Sequence, residues 1–229
     1  MRRVLGVTAL AAALGAAALA VGQEATGSVG APDRGRLVDG VALPDSPHYV
    51  RLSGPGVQWG TEELVGLLGR AAERLQRAED GPRLLVGSLS MQGGGRLRPH
   101  ESHQSGRDAD VSIFVTDDDG EPTQATSFVE LDRRTGCGRH DGRMVCIDPR
   151  RTFLFLVALL EDDVAQVRFV LIAGDLRQLV LAAGRRTDAS QRMLDRVEEI
   201  TRLRRGSASH RSHLHVRIEC PEGDRRCRG

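Results

Sequence analysis

The chain has 229 residues, 40% of them hydrophobic, which suits one globular domain with a sizeable core and argues against a disordered chain. Its 32 basic residues are all arginine and are balanced by 31 acidic ones, so no charge excess points to nucleic acid or an anionic membrane. The absence of lysine excludes chemistry that depends on it, including a P-loop, a Schiff base and a Ser-x-x-Lys acylation site.

Arg2 and Arg3 precede an unbroken apolar run from Val4 to Val21 that ends in Ala18-Leu19-Ala20 and turns polar at Gln23. This is the pattern of a secretory signal over residues 1–20, cleaved after a small-x-small site. No second run of spanning length follows, so no stable membrane insertion is expected once the signal is removed. Residues 21–40 read as a flexible lead-in and 41–229 as the folded domain. Tyr49 to Leu52 predicts a short strand, broken by Ser53-Gly54-Pro55-Gly56. Thr61-Glu62-Glu63-Leu64 is close to a capping box, with Leu64, Leu67, Leu68, Ala71 and Leu75 following at helical spacing. Leu84 to Met91 predicts a buried strand leading into Gly93-Gly94-Gly95.

From Asp108 to Val115 the pattern alternates, with Val111, Ile113 and Val115 on one face and Asp108, Asp110 and Ser112 on the other. Asp117-Asp118-Asp119-Gly120 has spaced acids like a calcium loop, but it lacks the twelfth-position glutamate and reads as a turn. Helices are expected over 151–161, about 175–183 and 188–203, and strands over 167–173 and at Leu214, Val216 and Ile218. Interleaved helices and strands without regular crossovers predict an α+β fold. Its central, mainly antiparallel sheet would carry a site on its polar face and helices on the other. The four cysteines form two close pairs, Cys137/Cys146 and Cys220/Cys227. Their spacing fits no common zinc pattern, and in an exported chain they read as disulfides. Three connectivities are open, of which the sequential one closes two short loops.

Five of the seven histidines fall in two clusters, His100-Glu101-Ser102-His103 and His210-Arg211-Ser212-His213-Leu214-His215. On the last strand His213 and His215 share a face, opposite Leu214, Val216 and Ile218. If that strand neighbours the one bearing Asp110, then His215, Asp110 and the preceding His103 converge. Two imidazoles and a carboxylate with a fourth position open make a catalytic zinc site for one ion.

The run from His100 through His103, Gly106 and Asp108 to Asp110, with His210-x-x-His213-x-His215-Val216-Arg217 and Cys220-Pro221, resembles the penicillin-insensitive murein endopeptidases. These are zinc peptidases related to lysostaphin, D-alanyl-D-alanine peptidases and hedgehog domains. The resemblance covers roughly residues 41–227 and is weaker in the middle. It implies His103, Asp110 and His215 as zinc ligands, His213 as the catalytic histidine that does not ligate, and His210 and His100 as supporting active-site histidines. It also implies a disulfide just after the final strand, matching Cys220/Cys227 and favouring the sequential pairing. Ser212 stands where related D,D-dipeptidases carry a glutamate base, which points to the His-x-His subtype.

The implied activity is metal-assisted hydrolysis of peptide cross-links in peptidoglycan by a periplasmic or secreted endopeptidase. Arg107 and Arg217 are candidates for binding the carboxylates of peptide stems. A D-alanyl-D-alanine carboxypeptidase is the alternative within the class. A catalytically silent zinc-binding module is the alternative outside it, and Asp110 with His213 argues against that. Nucleic acid is the least suited partner, with one Trp and one Tyr for stacking.

Overall fold

The computed structural model describes residues 27–229; the expected signal over 1–20 lies outside the described residues. In chain order the strands β1 (Gly27–Ala31), β2 (Arg34–Val38), β3 (Val41–Ala42), β4 (Tyr49–Arg51) and β5 (Trp59–Gly60) precede helix α1 (Glu62–Ala78). Strands β6 (Leu84–Val86), β7 (Asp108–Ser112), β8 (Val115–Thr116), β9 (Pro122–Thr123), β10 (Cys137–His140) and β11 (Arg143–Ile147) lead to α2 (Pro149–Leu160). Then come β12 (Val167–Leu171), α3 (Gly174–Gly184), α4 (Gln191–Ile200) and β13 (His213–Ile218). The α+β expectation holds.

The central sheet has the order β12-β13-β7-β6-β4, antiparallel except where β4 runs parallel to β6. Strands β13 and β7 lie side by side in the register His213↔Ser112, Leu214↔Val111, His215↔Asp110, Val216↔Ala109, Arg217↔Asp108. Alternation therefore sends Leu214, Val216, Ala109 and Val111 into the apolar core shared with α1, α2 and α3. The histidines and aspartates go to the opposite face. That face is not a solvated one: Asp108, Asp110, Ser112 and His215 are all buried.

Helix α1 starts where the sequence signals it, with Thr61 Oγ1 accepting from Leu64 N at 3.3 Å. Leu64, Leu67, Leu68, Ala71 and Leu75 face the core, each leucine contributing roughly 1.5–3 kcal/mol on burial. Its C-terminal end is tied down by the fully buried Arg151, which donates to the carbonyls of Glu79, Asp80 and Pro82. Asp148 caps α2, with Pro149 in its first turn, and Ser190 caps α4.

Four expectations change. Residues 27–38 of the predicted lead-in form the β1–β2 hairpin, held by Gly30 N to Arg226 O and by Asp224 accepting from Ser28 N. The predicted strand 84–91 ends at Val86, because beyond it Leu89 and Ser90 bond to Val57 and Trp59 instead. The predicted strand 108–115 breaks after Ser112; Val115–Thr116 joins a second sheet of order β10-β11-β8-β9. The 188–203 helix is shorter, running from the Ser190 cap to Ile200. Both disulfides are sequential, with Cys137 and Cys146 directly opposed across β10–β11 and Cys220 joined to Cys227. Among the described residues no helix is long and apolar enough to cross a membrane.

Candidate metal centre

The cross-strand pair His215↔Asp110 places one imidazole and one carboxylate side by side, and the loop before β7 brings His103 to the same point. His103 Nε2 lies 3.2 Å from His215 Nδ1 and 3.2 Å from Asp110 Oδ1, and His215 Nδ1 lies 3.1 Å from that oxygen. The three atoms form a nearly equilateral triangle. Donor atoms of a tetrahedral zinc site with bonds of about 2.0–2.1 Å stand about 3.3 Å apart, so the triangle fits one face of such a site. The donors, two imidazoles and a carboxylate, suit zinc chemically as well.

The protein fixes which nitrogens take part. His103 Nδ1 is 2.6 Å from Leu89 O; a carbonyl only accepts, so Nδ1 carries the proton and Nε2 keeps its lone pair. His215 Nε2 is 3.0 Å from Asp108 Oδ1 and donates to it, leaving Nδ1 turned to the centre. An outer carboxylate in this position is what orients the ligating nitrogen of a histidine at a metal site. Asp108 also accepts from His103 N at 3.0 Å and from Arg217 Nε at 2.5 Å. Those bonds, with Ser90 Oγ donating to His103 O, hold His103 at a left-handed φ of 67°, a conformation a non-glycine residue adopts at a cost.

The electrostatics follow from this packing. Burial alone would raise the Asp110 carboxyl, but the imidazoles of His103 and His215 set against it outweigh burial and hold the group well below the ordinary carboxylate range. Asp108 is lowered in the same way, chiefly by its hydrogen bond from His215. Burial would lower His215, yet the bonds to Asp108 and Asp110 raise it to about 9. His213 goes the other way: burial, reinforced by the neighbouring histidines, pushes it down to about 4 against the opposing charge of Asp110.

The other predicted histidines surround this core. His213 Nε2 is 3.6 Å from Asp110 Oδ1, too long for a hydrogen bond, and its Nδ1 is 2.9 Å from Ser212 Oγ. His210 packs edge-on against His213 and His215, with Nδ1 donating to Gly206 O. His100 Nδ1 faces the second oxygen of Asp110 at 3.4 Å. His100, His103 and Asp110 also offer ligand atoms within 4.8 Å of one another. The carboxylate is thus ringed by four imidazoles, and His100 is a competing donor to His215.

The two arginines part company. Arg107 is fully buried, donating to Ser28 Oγ, Ile218 O and Arg228 O, so it clamps the β1–β2 hairpin and the C-terminal segment to the sheet. A guanidinium so enclosed cannot meet a substrate carboxylate, which corrects that expectation. Arg217 does lie at the site, but its Nε is committed to Asp108 and its guanidinium stacks 4.9 Å over Phe169.

Two residues at the centre have no predicted role. Asp108 was legible as sharing the Asp110 face, yet only the strand register shows that it meets His215. Phe128, whose ring stacks on His213, carries no signal in the sequence at all.

The family described as penicillin-insensitive murein endopeptidase matches residues 28–229 of the chain. A protein of that name from Klebsiella pneumoniae subsp. pneumoniae is 28% identical over 210 residues, covering 87% of this chain and 69% of the relative. One of the same name from Escherichia coli O139:H28 is 27% identical over 203 residues, with the same coverage.

Proposed function

Because the chain belongs to the penicillin-insensitive murein endopeptidase family, we propose that it hydrolyses peptide cross-links of peptidoglycan with the help of one zinc ion. The observation that supports this best is the triangle of His103 Nε2, His215 Nδ1 and Asp110 Oδ1, with His213 beside it. Those three atoms would hold the ion. His215 is preferred to His100 as the third ligand because Asp108 fixes its tautomer, whereas among the described residues no comparable acceptor fixes His100. A zinc ion there supplies Lewis-acid polarisation of a carbonyl and of a water at neutral pH.

The chain's own groups supply the rest. His213, kept neutral by burial at pH 7, accepts a proton from the attacking water and passes it to the leaving amine. Ser212 Oγ holds Nδ1, so Nε2 is the nitrogen facing the centre. His210 and His100 line the site, packed against His213 and His103 respectively. The chain without lysine offers no Ser-Lys acylation site for a penicillin. The two disulfides suit an oxidising compartment, in keeping with a periplasmic or secreted enzyme.

Purified sacculi incubated with the protein, with and without a chelator, test the proposal when the products are identified by mass spectrometry. Dimers converted to monomers, lost on chelation, restored by zinc and unaffected by β-lactams, are expected. Shortened stems without loss of dimers would make it a carboxypeptidase, and zinc retention without products a silent module. Covalent labelling by a penicillin would sink the mechanism.

A further inference from the structure

The imidazoles of the centre are not equally anchored. His103 and His215 each donate a ring N–H to a fixed acceptor, Leu89 O at 2.6 Å and Asp108 Oδ1 at 3.0 Å. Among the described residues the hydrogen-bond partner of the His213 ring is the hydroxyl of Ser212 at 2.9 Å, a rotatable group next to it in the chain, with His210 packed edge-on 5.0 Å away. The second side-chain torsion of a histidine is broad, so one such contact does not fix the ring plane. Something else must do it.

The ring of Phe128 lies against His213, centroids 5.2 Å apart and planes within 16° of parallel. The segment bearing Phe128 is pinned on both sides. Thr126 N donates to His140 Nε2 at 2.9 Å, and Asp132 N to Cys137 O at 2.7 Å, both on the disulfide-closed β10–β11 hairpin. Arg211 Nε donates to Leu131 O at 2.7 Å while its Nη atoms form a bidentate pair with Asp175. The hairpin comes so close that a Cβ at Gly138 would stand 2.2 Å from Glu130 O. Room for the aromatic ring is made by a second glycine: a Cβ at Gly87 would lie 2.8 Å from Phe128 Cζ and 2.9 Å from Cε2. Gly87 N in turn donates to Asp110 O at 2.8 Å, so the clearance belongs to the backbone beside the metal-site carboxylate.

We propose that Phe128, seated over Gly87 and braced by the β10–β11 hairpin, is the positioning residue that sets the ring plane of His213. The proposal rests on the reading of His213 as the group beside the reacting bond. A planar ring is what the position requires; apolar volume alone does not serve. Misplacing a reacting group by about 1 Å costs on the order of 10²-fold in rate.

The test uses the full chain with isotope-labelled histidine, and Phe128→Leu, Phe128→Tyr and Gly87→Ala beside the wild type. In the metal-free and zinc-loaded protein, ring-current shifts of the His213 ring protons are expected in the wild type and in Phe128→Tyr. They should be lost in Phe128→Leu and Gly87→Ala. On a soluble cross-linked muropeptide, Phe128→Leu should lower kcat by roughly 10–100-fold with KM within about twofold, and Phe128→Tyr should keep most of kcat. A His213 resonance indifferent to Phe128→Leu, an unchanged kcat in that variant, or a loss in Phe128→Tyr as large as in Phe128→Leu overturns the proposal. The resonance is read without turnover, so an inactive wild-type protein sinks the hydrolase reading while the shift still judges the stack. Phe128→Leu carries the test if Gly87→Ala does not fold.

Discussion

His215 Nε2 lies 3.0 Å from Asp108 Oδ1, and that one contact decides which nitrogen His215 turns toward His103 and Asp110. Asp108 is ionised and can only accept, so Nε2 carries a proton toward it and Nδ1 is the nitrogen that faces Asp110 and His103. The same carboxylate accepts from His103 N and Arg217 Nε, so one buried side chain orients both histidines of the triangle.

Asp108→Asn should therefore weaken zinc binding by about 10–100-fold without removing a ligand, the range found when an outer carboxylate is lost. Competition with a chromophoric chelator measures it. Affinity equal to the wild type would show that Asp108 does not orient the site.

His213→Ala should keep zinc at near-stoichiometric occupancy while turnover falls by about 10²–10⁴-fold, as expected for loss of a general base or acid. Asp110→Ala and His215→Ala should lose both metal and activity. His100→Ala should remain loaded. Elemental analysis beside muropeptide turnover decides among them; a metal-free His100→Ala with a loaded His215→Ala would make His100 the third ligand.

Replacing Arg107 should act on stability and leave substrate recognition alone. Arg107→Met leaves Ser28 Oγ, Ile218 O and Arg228 O without their donor, at a cost of about 2–5 kcal/mol. Urea denaturation reads that loss, and KM of the folded fraction should stay within about twofold. A raised KM at wild-type stability would restore Arg107 as a substrate residue.

Asp162 gives a pH-dependent share of stability. Its buried carboxylate accepts from Arg70 at 2.6 and 2.9 Å, from Arg74 at 3.2 Å and from the amides of Val164 and Ala165. Burial would raise its pKa, but these donors, Arg70 foremost, hold it below the ordinary range. A depressed folded pKa means stability that is present above the unfolded value, near 3.9, and lost as pH falls below it. Asp162→Asn should thus cost about 1–3 kcal/mol at pH 7, with the gap closing below about pH 4. Thermal unfolding of both proteins across that range checks the sign; a gap that widens in acid would refute it.

The short range of the signals explains which parts of this site were legible. Thr61 and the core residues of α1 each lie about one turn from the next, so their spacing alone placed the helix. The alternation of Asp108 to Ser112 and of His213 to Ile218 likewise placed the ligand candidates on single faces. The strand expected to continue to Val115 failed because its end depends on a partner: Cys146 and Ile147 draw Val115–Thr116 into the second sheet. The lead-in failed for a similar reason, since β1 and β2 are fastened by residues near the far end of the chain.

The amino-acid sequence by itself determined the two histidine clusters and the same-face pairing of His213 with His215, each a local motif or periodicity written within a few residues, and its interleaved elements predicted the α+β class. It left three disulfide connectivities open, of which the sequential one forms. Tertiary structure alone decided that Asp108 meets His215, that Arg107 is a buried clamp, and that Phe128 lies on His213. Those facts depend on strand register and on loops packing across 79 to 121 residues of chain, distances over which side-chain spacing carries no information.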